Sequence, residues 1–313
     1  MLESFGIAFG AVFPFLVYLA IGYSMVRLGA ADMPFMNRLN KMTFQVFFPS
    51  LMFQNIYSAK ANDLPSPTLL ALSLGGMLLL VILLMLIVPR LVKEPPRQGV
   101  IVQGIFRSNF VLYGVSLTTF VFGQAQSSVA GFMTLVMVSF FNITAIIVLE
   151  YFRGGSANPL KLIGKLFRNP LLQGCLAGLV FFLLKWDLPG FVKTPVSALA
   201  SLATPLAMIT LGGTLSFAAL RRNVHLVWPV LLLRLIVMPL LMLTIGYLMG
   251  LRGVELFLLL MIYGTPVAAS SYPMAMNMGG DGELAGQLVF VSTVLSLGTI
   301  FAFIFALSRL GLI

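Results

Sequence analysis

Charge is what this chain has least of. Only 9% of its 313 residues are charged, against roughly a quarter in ordinary soluble domains. The sequence therefore cannot cover a globular surface with polar groups, which excludes a soluble enzyme and a disordered tail. A single cysteine, Cys175, excludes a disulfide framework and a Cys-based metal site. It reads as a small packing residue. A single histidine, His225, falls in or near a loop and reads as interfacial, without catalytic duty. No Lys or Arg precedes Arg27, so the positive n-region of a cleavable signal is not expected.

Acids are scarce where chemistry would need them. No Asp or Glu falls near the middle of any long apolar run, and Glu150 and Glu255 stand at run ends. Intramembrane metalloproteolysis wants His and Glu ligands, and acid–base hydrolysis wants paired titratable groups. The chain is accordingly expected not to be an enzyme, and no metal or cofactor is expected. An ion-coupling site of paired buried carboxylates is likewise not visible. Proton coupling through a protonated substrate, uniport driven by membrane potential, and sodium held by backbone carbonyls all stay open.

What the chain has in abundance is apolar sequence: 59% hydrophobic residues and a mean hydropathy of +1.04. A membrane span needs about 20 predominantly apolar residues. Ten segments qualify: 5–28, 37–57, 68–92, 98–122, 126–151, 169–186, 195–217, 227–249, 254–277 and 283–309. All are expected to be helices, because a helix satisfies its own backbone hydrogen bonds in lipid. The fold class is all-α integral membrane.

The net charge of +10 would suggest nucleic acid in a soluble chain. Here the basic residues sit in short loops between apolar runs, so they orient the protein in lipid and no nucleic-acid partner is expected. With the N-terminus outside, the cytoplasmic side holds Arg27, Arg38, Lys41, Arg90, Lys93, Arg97, Arg153, Lys161, Lys165, Arg168, Arg221 and Arg222. The opposite side holds Lys60, Lys185, Lys193, Arg252 and Arg309. Twelve against five places both termini outside the cytoplasm, in a multi-pass protein of the cell membrane.

The longest basic loop, 152–168, divides the chain into five spans (1–151) and five spans (169–313). An odd number per half inverts the second half relative to the first. Within the loop, Leu160, Leu162, Ile163, Leu166 and Phe167 interleave with Lys161, Lys165 and Arg168. That pattern reads equally as a short helix lying on anionic lipid or as a solvated connector. Inverted repeats are a recurring transporter architecture, and paired Gly/Pro-interrupted spans point to its binding site. The fourth span, Gly104 to Thr119, and the ninth, Gly264 to Asn277, combine helix breakers with hydroxyl and amide groups. Broken helices aim partial positive charge from their N-terminal ends at a shared centre, which suits an anion.

Asn109-x4-Gly114-Val115-Ser116-Leu117 in the fourth span is similar to a motif of the auxin efflux carrier family, Asn-x4-Gly-Ile/Leu-Pro-Leu. Asn169-Pro170, Pro205 with Leu211-Gly212, Arg234 to Pro239, Pro266, Gly279-Gly280-Asp281 and Ser292-Thr293 continue the pattern in order. The chain thus resembles that family, which covers bacterial organic-acid permeases and plant auxin exporters. The resemblance implies two inverted five-helix repeats whose fourth and ninth helices are broken and cross. It also implies elevator-type movement of one part against a scaffold, carboxylate substrates such as malate, malonate or auxin-like acids, and a homodimer. Its fourth-span Asn lies at the crossover and contacts substrate, and Asn109 carries that over. Ser116 departs from the pattern by replacing a Pro, so the fourth-span break is expected to rest on Gly114 and hydroxyl groups. The long cytoplasmic loop of the plant exporters is absent, and with it any expectation of their phosphorylation control.

The candidate substrate-binding residues are therefore Asn109, Gly114, Ser116, Pro266, Ser270 and Ser271. The serines can donate to an anion or bond back to their own helix; Asn109 can bind substrate or link helices. Arg107, nine residues into its span, either attracts anions or snorkels to the interface. Arg234 is read as structural. Membrane lipid and a small organic anion are the expected partners. An anion channel and a substrate-sensing membrane receptor are the alternatives to a carrier.

Overall fold

In a computed structural model, residues 2–58, 64–123, 126–154, 164 and 167–313 are described, with side chains undescribed at 2–12, 127 and 128. Helices cover each segment read as a span. α1 is Leu2–Arg27, α2 spans 33–57, α3 is Pro67–Leu91, and α4 comes in two halves, Pro95–Phe106 and Phe110–Phe122. α5 is Ser127–Phe152, α6 Pro170–Leu184, α7 Gly190–Thr214 and α8 Val224–Leu248. α9 is again split, Gly253–Gly264 and Ser271–Asn277, and α10 is Gly282–Arg309. A short helix, Phe217–Arg222, joins α7 to α8. Among the described residues there is no strand, only one isolated bridge. Among the described residues, five helices are each long and apolar enough to cross a membrane unaided: α3, α5, α7, α8 and α10. Most of the basic connector 152–168, including Lys161, Lys165 and the stretch read as an interfacial helix, lies outside the described residues, as does Lys60.

Helix starts follow local chemistry. Asp32 accepts from Phe35 N at 2.8 Å to open α2, Asn169 from Leu171 N at 3.0 Å to open α6, and Asp281 from Leu284 N at 2.9 Å to open α10. Pro67, Pro95 and Pro170 occupy first-turn positions, where a missing N–H costs nothing. Prolines inside spans leave a different mark. Pro49 and Pro239 each follow a π turn, Thr43–Phe47 in α2 and Leu233–Val237 in α8. An inserted residue accommodates the carbonyl that proline leaves without a donor. A third π turn, Ala71–Gly75, lies in α3.

α1, α2, α6 and α7 pack on one another by direct backbone contact. A Cβ added to Gly22 of α1 would stand 1.9 Å from Ile209 O, and one on Gly212 of α7 would stand 2.1 Å from Leu19 O. Gly174 of α6 leaves the same kind of space against Pro49 O of α2, at 2.3 Å. Small residues let helices approach in lipid, where van der Waals contact replaces hydrophobic drive. The remaining helices, α3–α5 and α8–α10, form a second group around the two split helices. Where these groups meet, Gly286 of α10 faces the flexible tip of Leu211 rather than backbone. Polar contacts cross that boundary: Asn277 donates to Asn40 at 2.8 Å, the Thr214 and Tyr272 hydroxyls are 2.8 Å apart, and the amides of Asn142 and Asn169 donate to the sulfurs of Met52 and Met278.

Candidate functional site at the helix crossing

The two breaks meet. Ser108 and Val267 form the isolated antiparallel bridge, Asn109 N donates to Pro266 O at 2.9 Å, and Ala268 N donates to Arg107 O at 3.3 Å. Each break so satisfies backbone groups that its own helix abandons. In α9 the sequence itself dictates the interruption: Pro266 ends the helix and holds Thr265 extended. Ser292 of α10 then receives Val267 N at 3.1 Å. In α4 the break is Arg107-Ser108-Asn109, which contains neither Gly nor Pro. This corrects the expected break at Gly114. That glycine lies within the second half of α4, close under the Phe110 ring, where a Cβ would be 2.7 Å from Phe110 Cζ. The α4 break is held by the facing break of α9 and by an arginine.

That arginine is Arg234, 0% exposed, carried on the π turn of α8. Its guanidinium donates to Thr265 O at 2.8 and 3.0 Å, to Ile262 O at 3.3 Å and to Ile105 O at 3.2 Å. These are the last carbonyls of both first half-helices, the negative ends of two helix dipoles. Arg234 thus caps both at once, the structural role expected of it.

With the C-terminal ends satisfied by Arg234, the opposite side of the crossing is left to the second half-helix of α4 and to α9's Ser270. There a cavity of about 80 Å³ opens between the breaks, α2, α5 and α7. By volume it holds several waters or a small carboxylate. Its walls are apolar, from Phe48, Leu51 and Met52 of α2, Val111 and Leu112 of α4, and Val138 and Phe141 of α5. Its polar groups are Arg107, Ser108, Asn109, Asn142, Asn55, Thr204 and Ser270.

Arg107 decides the character of this cavity. It is 2% exposed, so it does not snorkel to an interface. Its guanidinium donates to Asn142 Oδ1 at 2.6 Å and touches the Met274 sulfur. Among the described residues no carboxylate lies within ion-pairing distance of it; the acids form pairs elsewhere, as Arg97–Asp281, Arg153–Glu150 and Arg222–Glu283. A buried cation without a counter-charge is costly. Unfulfilled donors stand beside it. Asn55 Nδ2 and Ser108 Oγ are buried without a partner, and the Asn109 side chain forms no cap hydrogen bond at the start of the second half of α4.

Of the residues singled out in the sequence, Arg107, Asn109 and Ser270 line the cavity together. Pro266 is at the bridge, giving its carbonyl to Asn109. Ser271 starts the second half of α9; its carbonyl accepts from Gln103 at 3.1 Å and its buried hydroxyl has no partner. Gly114 and Ser116 stand away from the cavity, and Ser116 is exposed. The sequence reading passed over Asn55, Ser108 and Asn142. Asn142 had a signal: it is the one amide in the interior of the fifth span, within Phe140-Phe141-Asn142-Ile143, Gln126 standing at the span's first position.

A family model described as membrane transport protein matches residues 7–304. An uncharacterized transporter of Methanothermobacter thermautotrophicus is 28% identical over 285 residues, 90% of this chain and 92% of that protein. An uncharacterized transporter of Methanocaldococcus jannaschii is 26% identical over 292 residues, 90% of this chain and 93% of its own length.

Proposed function

The chain belongs to the membrane transport protein family, that of the auxin efflux carriers, and on that footing we propose that it carries small organic anions across the cell membrane, binding their carboxylate at the crossing of α4 and α9. One observation carries this reading: the Arg107 guanidinium is buried in the cavity with no acidic partner among the described residues, beside donors that no described residue satisfies. An incoming carboxylate supplies the missing negative charge and accepts from Asn109, Ser108 and Asn55. Charge-assisted bonds of this kind are about twice as strong as neutral ones.

The same reading takes the chain as two inverted five-helix repeats, 1–151 and 169–313. Support comes from the fourth helix of each set of five being split, and from the third of each, α3 and α8, carrying a π turn. Elevator-type movement is favoured by the packing. α1, α2, α6 and α7 are locked backbone to backbone, while the group bearing the crossing meets them through side-chain contacts, among them the bridges Asn277–Asn40 and Thr214–Tyr272. On the orientation given by the basic loops, the cavity lies on the outer side and both bridges on the cytoplasmic side. The conformation then faces outward, with both termini outside.

Uptake of radiolabelled malate into proteoliposomes, with malonate and indole-3-acetate as competitors, tests the proposal. Saturable uptake that falls in a correctly folded Arg107→Gln protein is expected. Uptake that rises linearly with concentration would instead indicate a channel, and binding without flux a receptor.

A further inference from the structure

Buried arginines in proteins usually lie against a carboxylate. Arg107 instead lies against an amide, and that choice has a consequence for the anion site described above. Asn142 sits on α5, is 2% exposed, and presents Oδ1 to Arg107 Nη2 at 2.6 Å. Its Nδ2 is turned away, onto the Met52 sulfur of α2. The Cys175 thiol of α6 lies against the same amide. The amide thus fixes the direction of the guanidinium while contributing no charge. An aspartate has the same size and would offer the same oxygen, but its charge would cancel that of Arg107.

We propose that Asn142 is the specificity-determining residue of this site: by holding Arg107 with a neutral acceptor, it keeps one full positive charge available to the substrate and so selects anions. The proposal rests on the carboxylate-binding reading of the crossing. Asn142 is a positioning residue for Arg107, and its neutrality is the property at issue. The titratable groups on elements facing it are Arg107 and Cys175.

Asn142→Asp and Asn142→Ser separate charge from geometry, with two readouts on the full-length protein. The first needs no ligand: the melting temperature in detergent. Because the aspartate gives Arg107 its missing counter-charge, ligand-free Asn142→Asp is expected to melt above wild type. The second is proteoliposome uptake of malate, malonate and indole-3-acetate. Asn142→Asp is expected to lose uptake of whichever of these wild type transports, by roughly tenfold or more, since the carboxylate of the cargo now meets a filled site. Asn142→Ser, neutral and able to accept, is expected to keep most of it. Wild-type-like uptake by Asn142→Asp overturns the proposal, as does a lower melting temperature together with equal loss in both variants, which marks a purely structural role. Absence of saturable uptake of all three acids by wild type overturns the carrier reading itself, and the melting comparison still decides whether Arg107 lacks a counter-charge.

Discussion

Arg234 of α8 donates twice to the carbonyl of Thr265, at 2.8 and 3.0 Å, while the same guanidinium reaches Ile105 on the other split helix. One side chain thereby closes two helix ends that lipid cannot solvate. Arg234→Ala leaves these carbonyls unpaired in the interior. A loss of about 3 kcal/mol or more is expected from buried acceptors costing about 1–3 kcal/mol each. Arg234→Lys should recover little, because an ammonium lacks the planar fork that spans both ends. Thermal unfolding in detergent checks both.

Asn109 differs, since its backbone holds the crossing while its side chain, which makes no cap hydrogen bond, is the proposed contact for cargo. Asn109→Ala should fold normally, because the bond from Asn109 N to Pro266 O is made by backbone. One hydrogen bond to a charged group is worth about 1.5–3 kcal/mol, so apparent affinity for the transported acid should fall roughly ten- to hundredfold. Titration of uptake against concentration in proteoliposomes measures it. An unchanged half-saturation removes Asn109 from the site.

The glycines at the α1–α7 and α2–α6 contacts make a sharper stability test. Gly212→Ala puts a methyl 2.1 Å from Leu19 O, and Gly174→Ala puts one 2.3 Å from Pro49 O. Backbone must move in either case, at a cost of about 1–3 kcal/mol or more. Gly298 of α10 has nothing within 4 Å of such a methyl. Gly298→Ala should be neutral or stabilising by up to about 1 kcal/mol, from helix propensity. Equal melting temperatures for all three would contradict the close approach.

The bridges Asn40–Asn277 and Thr214–Tyr272 join the two helix groups on one side of the crossing. Asn277→Ala with Tyr272→Phe should loosen that side. A cysteine at Met208, 1% exposed on α7, should then react several-fold faster with a water-soluble maleimide in a Cys175→Ala background. Unchanged reactivity would show that the bridges do not hold the groups together.

Much of this architecture was legible in the sequence because lipid imposes a simple rule. Runs of about 20 apolar residues must be helices, and the segment limits agreed with the helices to within a few residues. Pro266 announced the α9 break for the same local reason that produces it. The α4 break was not announced, because Arg107-Ser108-Asn109 has no intrinsic aversion to a helix; Arg234 and the facing break of α9 hold it open. Asn109 and Ser270 were found through their place in interrupted spans. Asn142 was missed because its importance comes from a contact with a residue 35 positions away. Ser116 drew attention by its motif position, but helical geometry turns it away from the cavity.

A charge that nothing neutralises also responds to voltage. If the group bearing Arg107 crosses the membrane empty, it moves one positive charge through the field; with a monovalent carboxylate aboard, it moves none. The membrane potential then acts on the return of the vacant site and leaves the loaded passage untouched. Full traversal is worth about 2.3 kcal/mol per 100 mV. With the cytoplasm negative, the field would draw such a vacant site inward, toward cargo on that side. On the proposed reading, a carrier of this design would move a monovalent anion outward on the membrane potential alone, its own buried arginine serving as the counter-charge.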